Sequence, residues 1–134
     1  MKIKLLASSL LMAAALMGSG AASSTTVTLD SLIPGGSIIV DDKLFDNFFF
    51  SKTGIGTPAD STGINVTDLL PPPWPGLQFS GPFLATAGQT EDFVISFDVT
   101  ALDPTKLLHD VELLFNGAVT GDGFTNTVEN VTNL

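Results

Sequence analysis

The chain has no cysteine and no arginine, and it carries only one histidine and one tryptophan. Without cysteine there can be no disulfide, no thiolate nucleophile and no zinc–thiolate site. Its five basic residues are Lys2, Lys4, Lys43, Lys52 and Lys106, set against 14 acidic ones. A nucleic-acid binder needs a cationic footprint to displace phosphate counterions, and this composition supplies none. Anionic membrane surfaces are disfavoured for the same electrostatic reason. Nucleic acid is therefore excluded as a partner.

The residues that usually carry catalysis are equally sparse. His109 stands beside Asp110, but no Gly-x-Ser-x-Gly elbow accompanies it. Ser37 in "GGSII" comes nearest and lacks the second glycine. A carboxylate pair that cleaves a glycoside must face one cleft. Glu91 and Asp92 are neighbours, so strand alternation sends them to opposite faces, while Asp110 and Glu112 share a face that reads as solvated. Asp41, Asp42 and Asp46 could gather oxygens for a hard cation, yet the regular Asp-x-Asp-x-Asp-Gly loop is missing, and a solvated acidic face explains them. No phosphate-binding glycine loop or dinucleotide fingerprint occurs. No catalytic residue, metal ligand or cofactor is expected, and the chain reads as a non-enzyme.

What is present begins at the N-terminus. "MKIKLLASSLLMAAALMGSGAASS" has basic Lys2 and Lys4, an apolar run from Leu5 to Met17, and then small residues. This three-part pattern is a secretory signal-peptide helix, and its apolar run is short for a membrane span. Gly20, Ala21 and Ala22 present small groups where a signal peptidase reads, which places cleavage after Ala22. The domains are then a signal at 1–22 and a single β domain at 23–134, with no stable membrane span once the signal is removed. Removing Lys2 and Lys4 leaves a strongly acidic product. A disulfide-free exported domain must rely on its core, and this leans towards a bacterial source.

The remaining sequence alternates. In "TEDFVISFDVT", Phe93, Ile95, Phe97 and Val99 fall on one face and Val94, Ser96, Asp98 and Thr100 on the other. Period-two alternation marks a half-buried strand. "GSIIVDD" and "KLFDNFFFS" read as two strands around an acidic corner at Asp41 and Asp42. If Phe48 and Phe50 point inward, Phe49 faces the opposite way. "TTVTL", "GINVTDL", "GLQFS", "HDVELLFNGAV" and "FTNTVENV" are further strand candidates, with a tight hairpin expected at Asp122-Gly123. "TALDPTKLLHD" holds either one helical turn at 104–107 or a crossover loop. Many short strands with Gly and Pro punctuation imply an all-β fold, an antiparallel β-sandwich incomplete at its C-terminal edge. A partly closed barrel would satisfy the same pattern. An open final strand also invites self-association, because unpaired edges are normally covered.

The stretch "DLLPPPWPGLQFSGP" concentrates most of the prolines around Trp74. Three readings are open. Pro71 to Pro73 favour an extended polyproline spacer that stops the strands on either side. Trp74, flanked by prolines, could offer a ring face to a sugar. A proline-rich peptide ligand is the third reading, but it lacks basic residues.

The phrases "DKLFDNF", "GLQFSGPF", "GQTEDFVISFDVT" and "GAVTGDG", in this order, resemble the exported PEP-CTERM sorting-signal proteins of bacteria that secrete exopolysaccharide. The resemblance spans nearly all of residues 23–134 and includes no catalytic motif. The family's Pro-Glu-Pro step, apolar span and Arg-rich cluster do not occur in the sequence; a truncated gene or a fragment is the expected explanation, and a naturally short, freely secreted form is the alternative. The resemblance implies a non-enzymatic protein of the cell surface or of extracellular, biofilm-type matrix. Its expected partners are extracellular polysaccharide or other envelope proteins. The runner-up is a non-catalytic carbohydrate-binding module built on Trp74. Expression in an exporting bacterial host should yield a product whose N-terminal residue, read by Edman degradation or intact mass, is Ser23. A product retaining Met1 would refute the signal assignment.

Overall fold

The computed structural model describes residues 23–132 apart from 57, 73, 109–111, 120, 121 and 123. The expected signal helix, its cleavage point at Ala22, and the His109–Asp110 pair lie outside the described residues. Six strands form: β1 (Thr26–Thr28), β2 (Ile38–Val40), β3 (Lys43–Ile55), β4 (Asn65–Leu69), β5 (Gly76–Ser80) and β6 (Thr90–Ala101). They make two three-stranded antiparallel sheets, ordered β1-β4-β5 and β2-β3-β6. Among the described residues, only two short 3-10 turns, Leu29–Leu32 and Ser61–Gly63, interrupt the strands. The all-β expectation holds.

Local chemistry explains the reversals. β2 and β3 pair as Val40↔Lys43, so Asp41 and Asp42 form a two-residue hairpin loop. Asp41 takes φ 54°, the left-handed conformation that tight hairpin turns demand and that aspartate tolerates. β4 and β5 pair as Leu69↔Gly76, so residues 70–75 are the connection of a second hairpin. The proline stretch thus reverses the chain between paired strands. This corrects the extended-spacer expectation, because a polyproline segment cannot bring its two ends side by side.

Strand β3 does not keep one phase. Asp46 pairs with Asp98 and Phe49 with Ser96, so Asn47 and Phe48 together stand opposite Phe97 alone. This is a β-bulge, and Asn47 supplies its left-handed residue at φ 52°. Its side-chain amide donates to Asp98 Oδ2 at 2.7 Å. The extra residue resets the alternation. Phe45, before the bulge, and Phe48, after it, are both buried, whereas Phe49 is 54% exposed. Phe48 and Phe50 thus both pack on the core side, with Phe49 facing the opposite way.

The core draws on both sheets. Leu29, Leu32, Val40, Phe45, Phe48, Ile64 and Val66 are buried in one cluster, and Leu77, Phe79, Ile95, Phe97 and Val99 pack against it. Phe97 is the hub. Its ring centroid lies 5.9 Å from Phe45, 5.7 Å from Phe48 and 5.8 Å from Phe79. Phe79 belongs to the other sheet, so this contact joins the two sheets. Aromatic pairs at such separations contribute roughly 0.5–1.5 kcal/mol beyond the area they bury.

Other expectations fail after Ala101. No strand forms among the described residues of 112–119 or 124–132, and the region of 104–107 is a turn rather than a helix. Asp103 Oδ1 accepts from the Thr105 backbone N–H at 2.9 Å and from its hydroxyl at 2.7 Å, which closes a local turn after β6. Leu113, Leu114, Phe115, Phe124, Val128 and Val131 remain exposed. Alternation states which face of a strand would be buried. It does not state which edge the strand will meet. The tight hairpin expected at Asp122-Gly123 lies largely outside the described residues.

In urea unfolding of residues 23–134, Phe48→Ala should cost about 3–5 kcal/mol, the usual result of emptying an aromatic core site. Asn47→Val should cost about 1–3 kcal/mol by forcing a β-branched residue into the left-handed region, and Asn47→Gly distinctly less. Equal losses for the two Asn47 variants would refute the bulge assignment.

Candidate functional site

Trp74 sits near the tip of the β4–β5 connection and is 71% exposed. The hairpin positions it, because Leu69↔Gly76 closes the ladder at the base of the loop. Leu70 turns inward against the core while Leu69 stays exposed, so the loop is anchored at one residue and open on the other side. An indole held in this way presents a flat apolar face, suited to stacking on another flat or apolar group.

A second constellation forms at the acidic corner. Asp42 is bonded to the Lys43 ammonium, and Lys106 Nζ lies 3.2 Å from Asp42 Oδ2. The Leu102 backbone N–H donates to the Asp42 carbonyl at 2.8 Å, which brings the segment after β6 back against the β2–β3 turn. The Lys43 hydrogen bond, helped by Lys106, holds the Asp42 carboxyl below its ordinary range. Asp42 in turn raises Lys106. The Thr105 hydroxyl and backbone N–H lower Asp103. Farther along β3, Lys52 Nζ lies 3.0 Å from Asp60 Oδ2, and that bond is the main cause lowering Asp60.

These contacts engage Lys43, Lys52 and Lys106, the three lysines beyond residue 22. Asp42 therefore serves as a cation anchor for the hairpin. Among the described residues, no three carboxylate, histidine or cysteine groups are placed to hold a metal ion. Asp41 is exposed, and Asp46 faces Asp98 across the ladder instead of joining Asp42. Glu91 and Asp92 occupy successive positions of β6 and so opposite faces. Ser37 is exposed, just before β2.

No protein-family model, curated protein or solved structure matches this chain.

One polar residue escaped the sequence reading. Asp68 is only 7% exposed, on the core-facing side of β4 with Val66. Its carboxylate accepts from the Thr25 backbone N–H, and its own N–H donates to the Thr25 carbonyl at 3.1 Å. A buried carboxylate demands such partners. The clue was available in Ile64, Val66, Asp68 and Leu70, an inward phase in which one of four positions is an acid. Its role is to fasten the start of β1.

The paired corner has a pH signature. Asp42 has a depressed pKa when folded, so its contribution is complete above the ordinary aspartate value of about 3.9 and lost as pH falls through the folded value. Lys106 behaves oppositely, and its share disappears as pH rises above about 10.4. Asp42→Asn should lower the melting temperature at pH 7, since it removes the charge that both lysines meet. Thermal melts should show the two proteins converging below about pH 3. A gap that widens in acid would refute this assignment.

Proposed function

We propose that the protein is a non-enzymatic, exported β-sandwich with a structural or interaction role at the bacterial cell surface or in extracellular matrix. The observation that carries this reading is the kind of surface presented. An exposed indole on a braced loop and a long strand edge are recognition features, whereas the carboxylates are dispersed or tied to lysines. The cross-sheet contact of Phe79 with Phe97 favours a sandwich over a barrel, since it stacks one sheet's inner face on the other's. The signal-like N-terminus supports export, and the resemblance to PEP-CTERM proteins supports the surface or matrix setting.

Purified residues 23–134 should turn over none of a panel of glycosides and esters. Turnover that an Asp or Glu substitution abolishes would overturn the reading.

The 71% exposure of Trp74 favours a second reading, a carbohydrate-binding module without catalysis. A sugar ring stacked on the indole would place its axial hydrogens against the π face. Affinity electrophoresis through gels containing soluble polysaccharides should then retard the wild type and release Trp74→Ala. Identical mobilities of the two proteins in every gel would remove this alternative.

A further inference from the structure

We infer that the free edge of β6 is a docking site for residues 112–119 of a second copy of this chain. This deepens the interaction role proposed above and rests on it. β6 is twelve residues long and ends the β2-β3-β6 sheet, pairing with β3 along one side only. Among the described residues, no backbone hydrogen bond reaches its other side. The centre of that edge, Phe93-Val94-Ile95-Ser96-Phe97, carries no charge and is aromatic or β-branched at all but Ser96, while Glu91, Asp92 and Asp98 flank it. An uncharged run of this type on an open edge is a template for another strand, and its acidic flanks confine pairing to the centre.

The matching element lies in the same chain. Leu113 to Val119 is also uncharged and is also preceded by an acid, Glu112. Leu113, Phe115 and Val119 share one period-two face, and all three are exposed in the monomer. The inward row of β6, Phe93, Ile95, Phe97 and Val99, is only half-buried although it faces the core. A strand added beside it would place Leu113 and Phe115 next to that row and remove both from water. Edge and segment both lack a strand partner among the described residues of one molecule. A neighbouring copy satisfies both, by the strand-addition mode that open edges use.

The absence of cysteine gives engineered thiols a clean background. Val94→Cys and Leu114→Cys lie at exposed positions of edge and segment. Mixed under mild oxidation, the two single variants of residues 23–134 should form a mixed disulfide dimer in at least about threefold excess over either homodimer. Light scattering should give wild type a mass of roughly two protomers or more. Phe115→Asp should return it to one protomer with an unchanged far-ultraviolet spectrum, and Leu113→Asp serves if the first variant misfolds. A monomeric wild type at all concentrations would overturn the inference, as would an internal disulfide in the double variant without mixed dimers. Neither result would by itself show turnover of glycosides or esters, so the inference can fail while the non-enzymatic reading stands.

Discussion

The bulge at Asn47 is the constraint on which the rest of the molecule depends. A strand of thirteen residues with strict alternation would send Phe45 inward and Phe48 and Phe50 outward. One residue in the left-handed region cancels that conflict, so phenylalanines on both sides of it meet the same core. Phe97, the single residue opposite the bulge, therefore touches Phe45 and Phe48 together. It also touches Phe79, and through that ring the two sheets share one interior. Asparagine suits the position because its side chain tolerates the conformation and its amide reaches Asp98. The same bond places a donor beside two aspartates that face each other across the ladder, an arrangement otherwise unfavourable.

Polar contacts fasten what the aromatic interior leaves loose. Asp68 ties down the start of β1, and Asp42 gathers two lysines where the β2–β3 turn meets the segment after β6. Asp68 lies beside the fully buried Val66 on the same face of β4, and Asp42 lies two residues from the fully buried Val40. Lysine, aspartate and backbone amides thus do here what disulfides do in many small exported domains.

Much of this architecture was legible because its strands alternate. The acidic hairpin corner follows from two adjacent aspartates between apolar runs, and the inward row of β6 from period two. The same rule located β1, β4 and β5 within a residue or two. The bulge itself was not legible, although its consequence for Phe48 and Phe50 was, since nothing in "LFDNFFF" states which residue will be extra. The reversal at the prolines was missed because stiffness was read without the pairing of the strands on either side. Segments 112–119 and 124–132 show the limit most clearly, since a pattern can be complete and still lack a neighbour to pair with. As for the site, Trp74 could be seen as exposed because prolines surround it, whereas the Asp42–Lys106 contact depends on a fold-back that residue spacing does not reveal.

The sheet order has a temporal consequence. The strands visit the two sheets in alternation, β1 in one, β2 and β3 in the other, β4 and β5 back in the first, and β6 in the second. Thr26 meets Thr67 and Thr25 meets Asp68, more than forty positions away. A chain emerging N-terminus first, whether from a ribosome or through a translocation pore, therefore shows β1 to its surroundings with no partner until β4 has followed. Such non-local closure is slow compared with helix formation. The molecule assembles only when a large part of it is present together, so its folding cannot keep pace residue by residue with an emerging N-terminus.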